Sequence, residues 1–212
     1  MALLQLILVS VLAYLIGSIP TGLLVARVKG VNLLAAGSGK TGATNTMNAV
    51  GIGAAAAVLA VDLVKGIIAV LLAYLFPWDE IMWLGIAVTC TGAAAILGHN
   101  YSVWVRLMSG RWGGGRGIVT AMGAMVMLHP LVVLAAIVVG LLALALTRYV
   151  VLGAILGTIG AVVVAVILIA SGSLSTWFLP PALLWAALVV SGFLDNIQRL
   201  SQGAEPKLGK PL

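Results

Sequence analysis

Apolar residues along this chain come in long runs, separated by short clusters rich in Gly, Ser, Thr, Asn and Arg. A helix that crosses a bilayer needs about 20 mostly apolar residues. The runs predict seven such helices, at 3–26, 51–76, 81–97, 117–129, 131–147, 150–170 and 177–194. The fourth is the shortest, because Ile118 to Leu128 is closed by His129-Pro130, and Pro130 cannot continue the hydrogen bonding of a helix. Joining 117–147 into one broken segment is the alternative, and it gives six. Met1 to Ser18 holds no Lys or Arg, so the first run lacks the basic start of a cleaved signal peptide and is also too long for one. The fold class predicted is all-α: a polytopic membrane protein of seven transmembrane helices, with 1–212 forming a single integral-membrane domain.

Composition agrees and narrows the chemistry. The chain is 63% hydrophobic and 8% charged with a mean hydropathy of +1.24, against about 25% charged in ordinary soluble domains. The single cysteine, Cys90, excludes an intramolecular disulfide framework and any CxxC knuckle. Two histidines and five carboxylates leave little material for a metal cage, so neither metal nor other cofactor is expected. The net charge of +6 fits cytoplasmic loops rather than a nucleic-acid surface. With seven spans, Arg27, Lys29, Lys40, Arg106, Arg111, Arg116, Arg148, Arg199, Lys207 and Lys210 all fall on one side. The opposite side carries Asp79 and Glu80. That segregation predicts an external N-terminus and a cytoplasmic C-terminus, and it favours seven spans over six. The long connections 27–50 and 98–117, with the tail 195–212, then gather at the cytoplasmic face, where any site must lie.

The first connection contains Gly37-Ser-Gly-Lys-Thr-Gly-Ala-Thr-Asn45. Glycines let successive backbone N–H groups converge into an anion-binding nest. Ser38, Thr41, Thr44 and Asn45 add donors and Lys40 adds charge, and Ser38, Gly39, Lys40, Gly42, Thr44 and Asn45 are the candidate phosphate ligands; a capped helix–helix turn is the alternative. Neither a Walker loop nor a dinucleotide fingerprint applies, since both need a preceding strand. The second connection holds Gly98-His99 and then Gly113-Gly114-Gly115-Arg116-Gly117. Arg116 is a planar phosphate clamp between glycines that let a phosphate reach the backbone. His99 can exchange a proton near neutral pH or simply donate a hydrogen bond. The tail holds Asp195-Asn196-Ile-Gln-Arg199, then Gly203-Ala-Glu205; Asn196 and Arg199 share a helical face. Within the second run, Asp62 and Lys65 are expected to pair and face the bundle, as a structural pair or in support of the site.

Together these segments resemble the bacterial acyl-phosphate:glycerol-3-phosphate acyltransferases of the PlsY type. The first cluster is similar to that family's GSGNxGATN motif. Gly98-His99 with Gly114 to Thr120 is similar to its GH…GGKGVAT motif, and Asp195 to Leu200 with Gly203 and Glu205 to its third. Asp62-Leu-Val-Lys-Gly66 looks like the family as well. Lys40 stands where Asn is usual, Arg116 where Lys is usual, Asn48 where Arg is common, and Phe193-Leu194 where His or Arg is common. The resemblance implies acyl transfer from acyl phosphate to the 1-hydroxyl of sn-glycerol 3-phosphate, in the cell membrane of a bacterium. His99 and Arg116 would be catalytic. The nest residues, with Gly114, Gly115, Gly117 and Asn196, would bind phosphate, and Asp62, Lys65 and Glu205 would support them. Membrane lipid and the enzyme that makes acyl phosphate are the implied partners, with no nucleic acid.

An acyl phosphate is a mixed anhydride with a good leaving group, so Cys90 is not needed as a nucleophile, and positioning and charge stabilisation suffice. The soluble-type acyltransferase signature, His followed by four residues and Asp, is absent: the place after His99 is Trp104 and after His129 is Leu134. Because no carboxylate is evident in the sequence to orient His99 as a base, a substrate phosphate oxygen is the preferred proton acceptor. Two other readings remain: a non-catalytic lipid-binding paralogue, and a small anion transporter, the latter disfavoured because no internal repeat relates the halves.

Overall fold

A computed structural model describes residues 1–209, which contain eleven α-helices, two short 3-10 turns and no strand; Lys210 lies outside the described residues. In chain order the helices are α1 (Ala2–Gly17), α2 (Thr21–Val28), α3 (Ala43–Ala49), α4 (Ile52–Leu75), α5 (Ile81–Asn100), α6 (Val103–Ser109), α7 (Ile118–Val126), α8 (Pro130–Thr147), α9 (Val150–Ala170), α10 (Leu179–Ser191) and α11 (Leu194–Ser201). Five stretches are long and apolar enough to cross a bilayer alone: Ala2–Val28, Ile52–Leu75, Ile81–Ser109, Pro130–Thr147 and Val150–Ala170. Thr176–Ser191 with Leu194–Ser201, bent by 57°, makes a sixth.

The fourth expected span, 117–129, is helical for only nine residues. That is about 14 Å of helix against a hydrocarbon core of about 30 Å. Gly117 starts it late, with φ +68, and the chain turns at Met127–His129 ahead of Pro130. The third span outruns its expected end, since α5 continues to Asn100 and carries His99 in its last turn. The first is broken where Pro20 supplies no N–H, and that break leaves carbonyls free for other donors.

Short α7 is an interior element, packed against α4 at backbone distance. A Cβ on Gly66 would overlap the Thr120 carbonyl, and one on Gly123 would overlap that of Leu63. Small residues permit such approaches between apolar helices, where packing rather than water drives association. Trp185 of α10, 1% exposed, anchors the apolar core and donates from Nε1 to the Thr89 carbonyl at 3.0 Å. At one end of the bundle the 37–45 loop, the 101–117 connection and the 202–209 tail converge. The tail is pinned there: Leu208 N donates to the Arg148 carbonyl at 2.7 Å, and Arg148 Nη2 donates to the Leu208 carbonyl at 3.3 Å.

Gly66→Ala is expected to destabilise the protein by about 1–3 kcal/mol, because a methyl there must push α7 off α4. Gly53→Ala, in the same helix and meeting nothing within 4 Å, should not destabilise the protein and gains up to about 1 kcal/mol in helix propensity. Thermal unfolding of the two purified variants in detergent checks the contrast.

Candidate active site

The deepest part of the site is a charged cluster inside the bundle. Lys65 Nζ donates to Asp62 Oδ1, to Thr21 Oγ1 and to the Ile19 carbonyl, each at 2.6 Å. Thr21 Oγ1 donates in turn to Asp62 Oδ1 at 3.1 Å. The Ile19 carbonyl lies at the break that Pro20 makes in the first span, and it also accepts from Thr21 N at 3.0 Å. Asp62 and Lys65 are 3% and 2% exposed, so each ion stays buried only because the other and these acceptors match it. His99, 8% exposed, points Nδ1 at Asp62 Oδ1 from 3.8 Å, beyond hydrogen-bonding distance. A carboxylate therefore does face His99. The sequence concealed it, since Asp62 lies on α4 and is thirty-seven positions away. The oxygen that faces it, Oδ1, already accepts from Lys65 and Thr21.

Above His99 runs the glycine strip. Gly115 N donates to the His99 carbonyl at 2.8 Å, Ser102 N to the Gly113 carbonyl at 2.8 Å, and Thr41 N to the Gly114 carbonyl at 3.1 Å. A Cβ on Gly115 would overlap His99 Nε2, so only glycine leaves that nitrogen room. The strip thus ties the first connection to the second, and Arg116 follows directly.

The 37–45 loop turns through Gly37 and Gly39, at φ +50 and +65. Asn45 holds its shape. Its Nδ2 donates to the carbonyls of Leu33, Ala36 and Lys40 at 3.2, 3.1 and 2.9 Å, and its Oδ1 accepts from Ser38 N at 3.2 Å. At 4% exposed, its side chain is spent on the loop. Lys40 leaves the nest, reaching Asp195 Oδ2 at 3.5 Å and lining a separate cavity with Arg111.

Arg116 closes the assembly. Its Nε donates to Asn196 Oδ1 at 2.8 Å, Asn196 Nδ2 donates to Glu205 Oε1 at 2.6 Å, and Arg199 Nε donates to Glu205 Oε2 at 2.8 Å. The guanidinium also lies over the Phe193 ring, 5.3 Å from its centroid, a favourable cation–π distance. Fixed on one edge and stacked on one face, it makes no hydrogen bond from its two terminal nitrogens among the described residues. Burial pushes its pKa below the usual arginine value; Glu205 and Asp195 oppose this and Arg199 reinforces it. An arginine remains charged at neutral pH all the same.

Two chambers meet at this arginine. A polar cavity of about 530 Å³ is lined by Ser38, Thr44, Asn48, Arg116, Arg199 and Lys207, among others. An apolar groove of about 260 Å³ runs from Asp62 and His99 past Met122 to Leu141 and Leu144 of α8. Thr44, Arg116, Val150 and Phe193 line both. Of the residues singled out in the sequence, Ser38, Thr44, Arg116, Asn196 and Glu205 come together at the polar cavity, and Gly42, His99, Asp62 and Gly117 at the groove. Asn45 also lines the polar cavity, and Gly114 and Gly115 form the strip. Gly39 and Lys40 line the separate cavity, and Lys65 stands behind Asp62. Sequence reasoning did not place Lys207, Asn48 or Phe193 at the site. For Asn48 and Phe193 the signal was that each departs from the family pattern beside a motif.

A family model described as glycerol-3-phosphate acyltransferase matches residues 7–203. The glycerol-3-phosphate acyltransferase of Thermus thermophilus is 40% identical, over 94% of this chain and 93% of that protein. That of Halalkalibacterium halodurans is 36% identical, over 93% of each. Among solved structures, PlsY (YgiH), an integral membrane glycerol 3-phosphate acyltransferase, superposes in its glycerol 3-phosphate form with a TM-score of 0.80. It is 35% identical and covers 96% of both chains. Its lysophosphatidic acid form gives 0.79 at 34% identity, over 96% of this chain and 95% of that one.

Proposed function

The chain belongs to the glycerol-3-phosphate acyltransferase family, and from that membership we propose how its site works: it acylates the 1-hydroxyl of sn-glycerol 3-phosphate with acyl phosphate as donor, giving 1-acyl-sn-glycerol 3-phosphate and phosphate. The observation that carries this reading is the meeting of a cation-lined polar cavity with an apolar groove at Arg116. Glycerol 3-phosphate enters the polar cavity, where Arg199, Lys207 and the donors of Ser38 and Thr44 hold its phosphate. The acyl chain lies in the groove, and the acyl carbonyl and its phosphate sit at the shared wall beneath Arg116.

The glycerol hydroxyl attacks the acyl carbon, an ester C–O bond forms, and the C–O bond to phosphate breaks. Arg116 stabilises the charge gathering on the leaving phosphate through its free terminal nitrogens. The hydroxyl proton goes to a phosphate oxygen. His99 holds that oxygen as a neutral donor. Taking the proton itself would create a buried imidazolium beside Lys65, and Asp62 has only one charge to share between them.

We further infer seven membrane crossings, an external N-terminus and a cytoplasmic site in a bacterial cell membrane. Support comes from how α7 is embedded. Arg116 at its start and Arg148 after α8 lie at the site end, the latter through its tail contact. His129, between α7 and α8, packs edge-on against Phe178, between α9 and α10. These contacts support reading the 117–129 segment, with its short helix α7, as an inner crossing sheathed by longer helices, with α8 as the return.

Arg116→Ala is expected to lose a bidentate charge-assisted contact of roughly 2–4 kcal/mol, about 30- to 1000-fold in kcat/KM. Arg116→Lys should recover part of it. Full activity of folded Arg116→Ala, measured as acyl-phosphate-dependent acylation of glycerol 3-phosphate by purified protein, removes Arg116 from the mechanism.

For His99 the kinetics separate donor from base. His99→Gln keeps a hydrogen-bond donor, so it should retain turnover within about tenfold and keep the acidic limb of the pH–rate profile, which reports a phosphate of second pKa about 6. A general base would cost about 10²- to 10⁴-fold on the same change. Loss of that size together with the acidic limb reinstates the histidine as base.

Orientation is tested by labelling intact cells in a Cys90→Ala background. Asp79→Cys should react with an impermeant thiol reagent and Lys40→Cys should not. The reverse pattern inverts the topology and moves the site outside.

A further inference from the structure

The groove does not end where its wide part ends. Beyond it lies a smaller cavity of about 70 Å³, lined by α7, α8, α9 and α10, with Met125, Val132, Ala161 and Trp185 in its walls. The two spaces share Ile118, Met122 and Ala136 as a common partition. Its hydroxyl, that of Thr158, is spent on the Ala154 carbonyl at 2.8 Å. Nothing in these walls offers a water its partners, so the cavity suits hydrocarbon.

Length argues for one occupant. Along α8 the walls run from Leu144 in the groove to Val132 in the inner cavity. That is twelve residues, or about 18 Å of helix. One leaflet of hydrocarbon is about 15 Å deep, half of a 30 Å core. The two spaces in series therefore match an acyl chain of membrane length. Met122 is the movable part of the partition, unbranched and only partly buried. Trp185 is the fixed end, held by its bond to Thr89 and by Gly92, where a Cβ would overlap the indole. The sideways alternative is the open flank at Leu59, Ile137 and Leu141, through which a chain could pass straight into the bilayer.

We propose that the inner cavity is the binding subsite for the methyl end of the acyl chain, entered past Met122 and closed by Trp185, and that it sets the preference for long-chain donors. This rests on the reading of the groove as the acyl site.

The test uses the full-length purified enzyme with octanoyl, dodecanoyl and hexadecanoyl phosphate. Ala161→Phe fills the inner cavity without touching the groove. Each CH₂ denied burial is worth about fourfold, so excluding two or three should lower the hexadecanoyl-to-octanoyl ratio of kcat/KM by about 15- to 60-fold. Octanoyl phosphate, too short to reach Ala161, reports folding and the intact site in the same sample. If Ala161→Phe does not fold, Ala161→Leu places a smaller obstruction at the same position and should lower the ratio in the same direction. An unchanged ratio in a variant active on octanoyl phosphate overturns the inner subsite and sends the chain out through the open flank. A wild-type protein inactive on all three donors overturns the acyl-transfer reading instead.

Discussion

A lysine and an aspartate three positions apart on one helix, both inside the membrane bundle, set the terms for the rest of this structure. Neither ion tolerates hydrocarbon alone. Lys65 therefore recruits the Ile19 carbonyl and the Thr21 hydroxyl, and both are within reach only because Pro20 interrupts the first span. That requirement fixes the broken first span against α4. With α4 fixed, Gly66 one turn on admits α7, and the start of α7 carries Gly117 and Arg116 to the chamber wall. His99 approaches the same ion pair from α5. One matched pair of charges thus positions elements from four different parts of the chain.

Much of the frame was legible beforehand because it depends on local quantities. Run length locates most of the spans, and glycine density marks a tight backbone. What escaped depended on contacts across the bundle. The length of α7 follows from burial between longer helices, which a hydropathy run cannot report. The Asp62–His99 approach joins two helices through their crossing, and no spacing encodes that. Asn45 read as a phosphate donor, since an amide in a glycine loop has that chemistry; in the fold, three carbonyls and one amide of its own loop occupy it.

The departures from the family pattern become intelligible in pairs. Arg116 and Phe193, each unusual alone, lie 5.3 Å apart. A planar guanidinium gains from an aromatic face beneath it in a way that an ammonium, held by a point contact, does not. Lys40 faces Asp195 rather than the nest, so its charge joins the first connection to α11. Asn48 opens onto the polar cavity, where Arg199 and Lys207 already supply positive charge. Nothing in the structure explains Leu194.

On the proposed reading of the two chambers, the shared wall at Arg116 and Phe193 also divides two solvents. On one side concentration means moles per volume of water, and on the other it means mole fraction in a sheet two molecules thick. A catalyst built across that boundary reads each reactant on its own scale. Diluting the membrane with inert lipid or detergent weakens the supply of the acyl donor while leaving that of glycerol 3-phosphate untouched. The products separate by the same rule. Phosphate departs into three dimensions and the acylated glycerol phosphate stays in two, so neither has to retreat through the other's door.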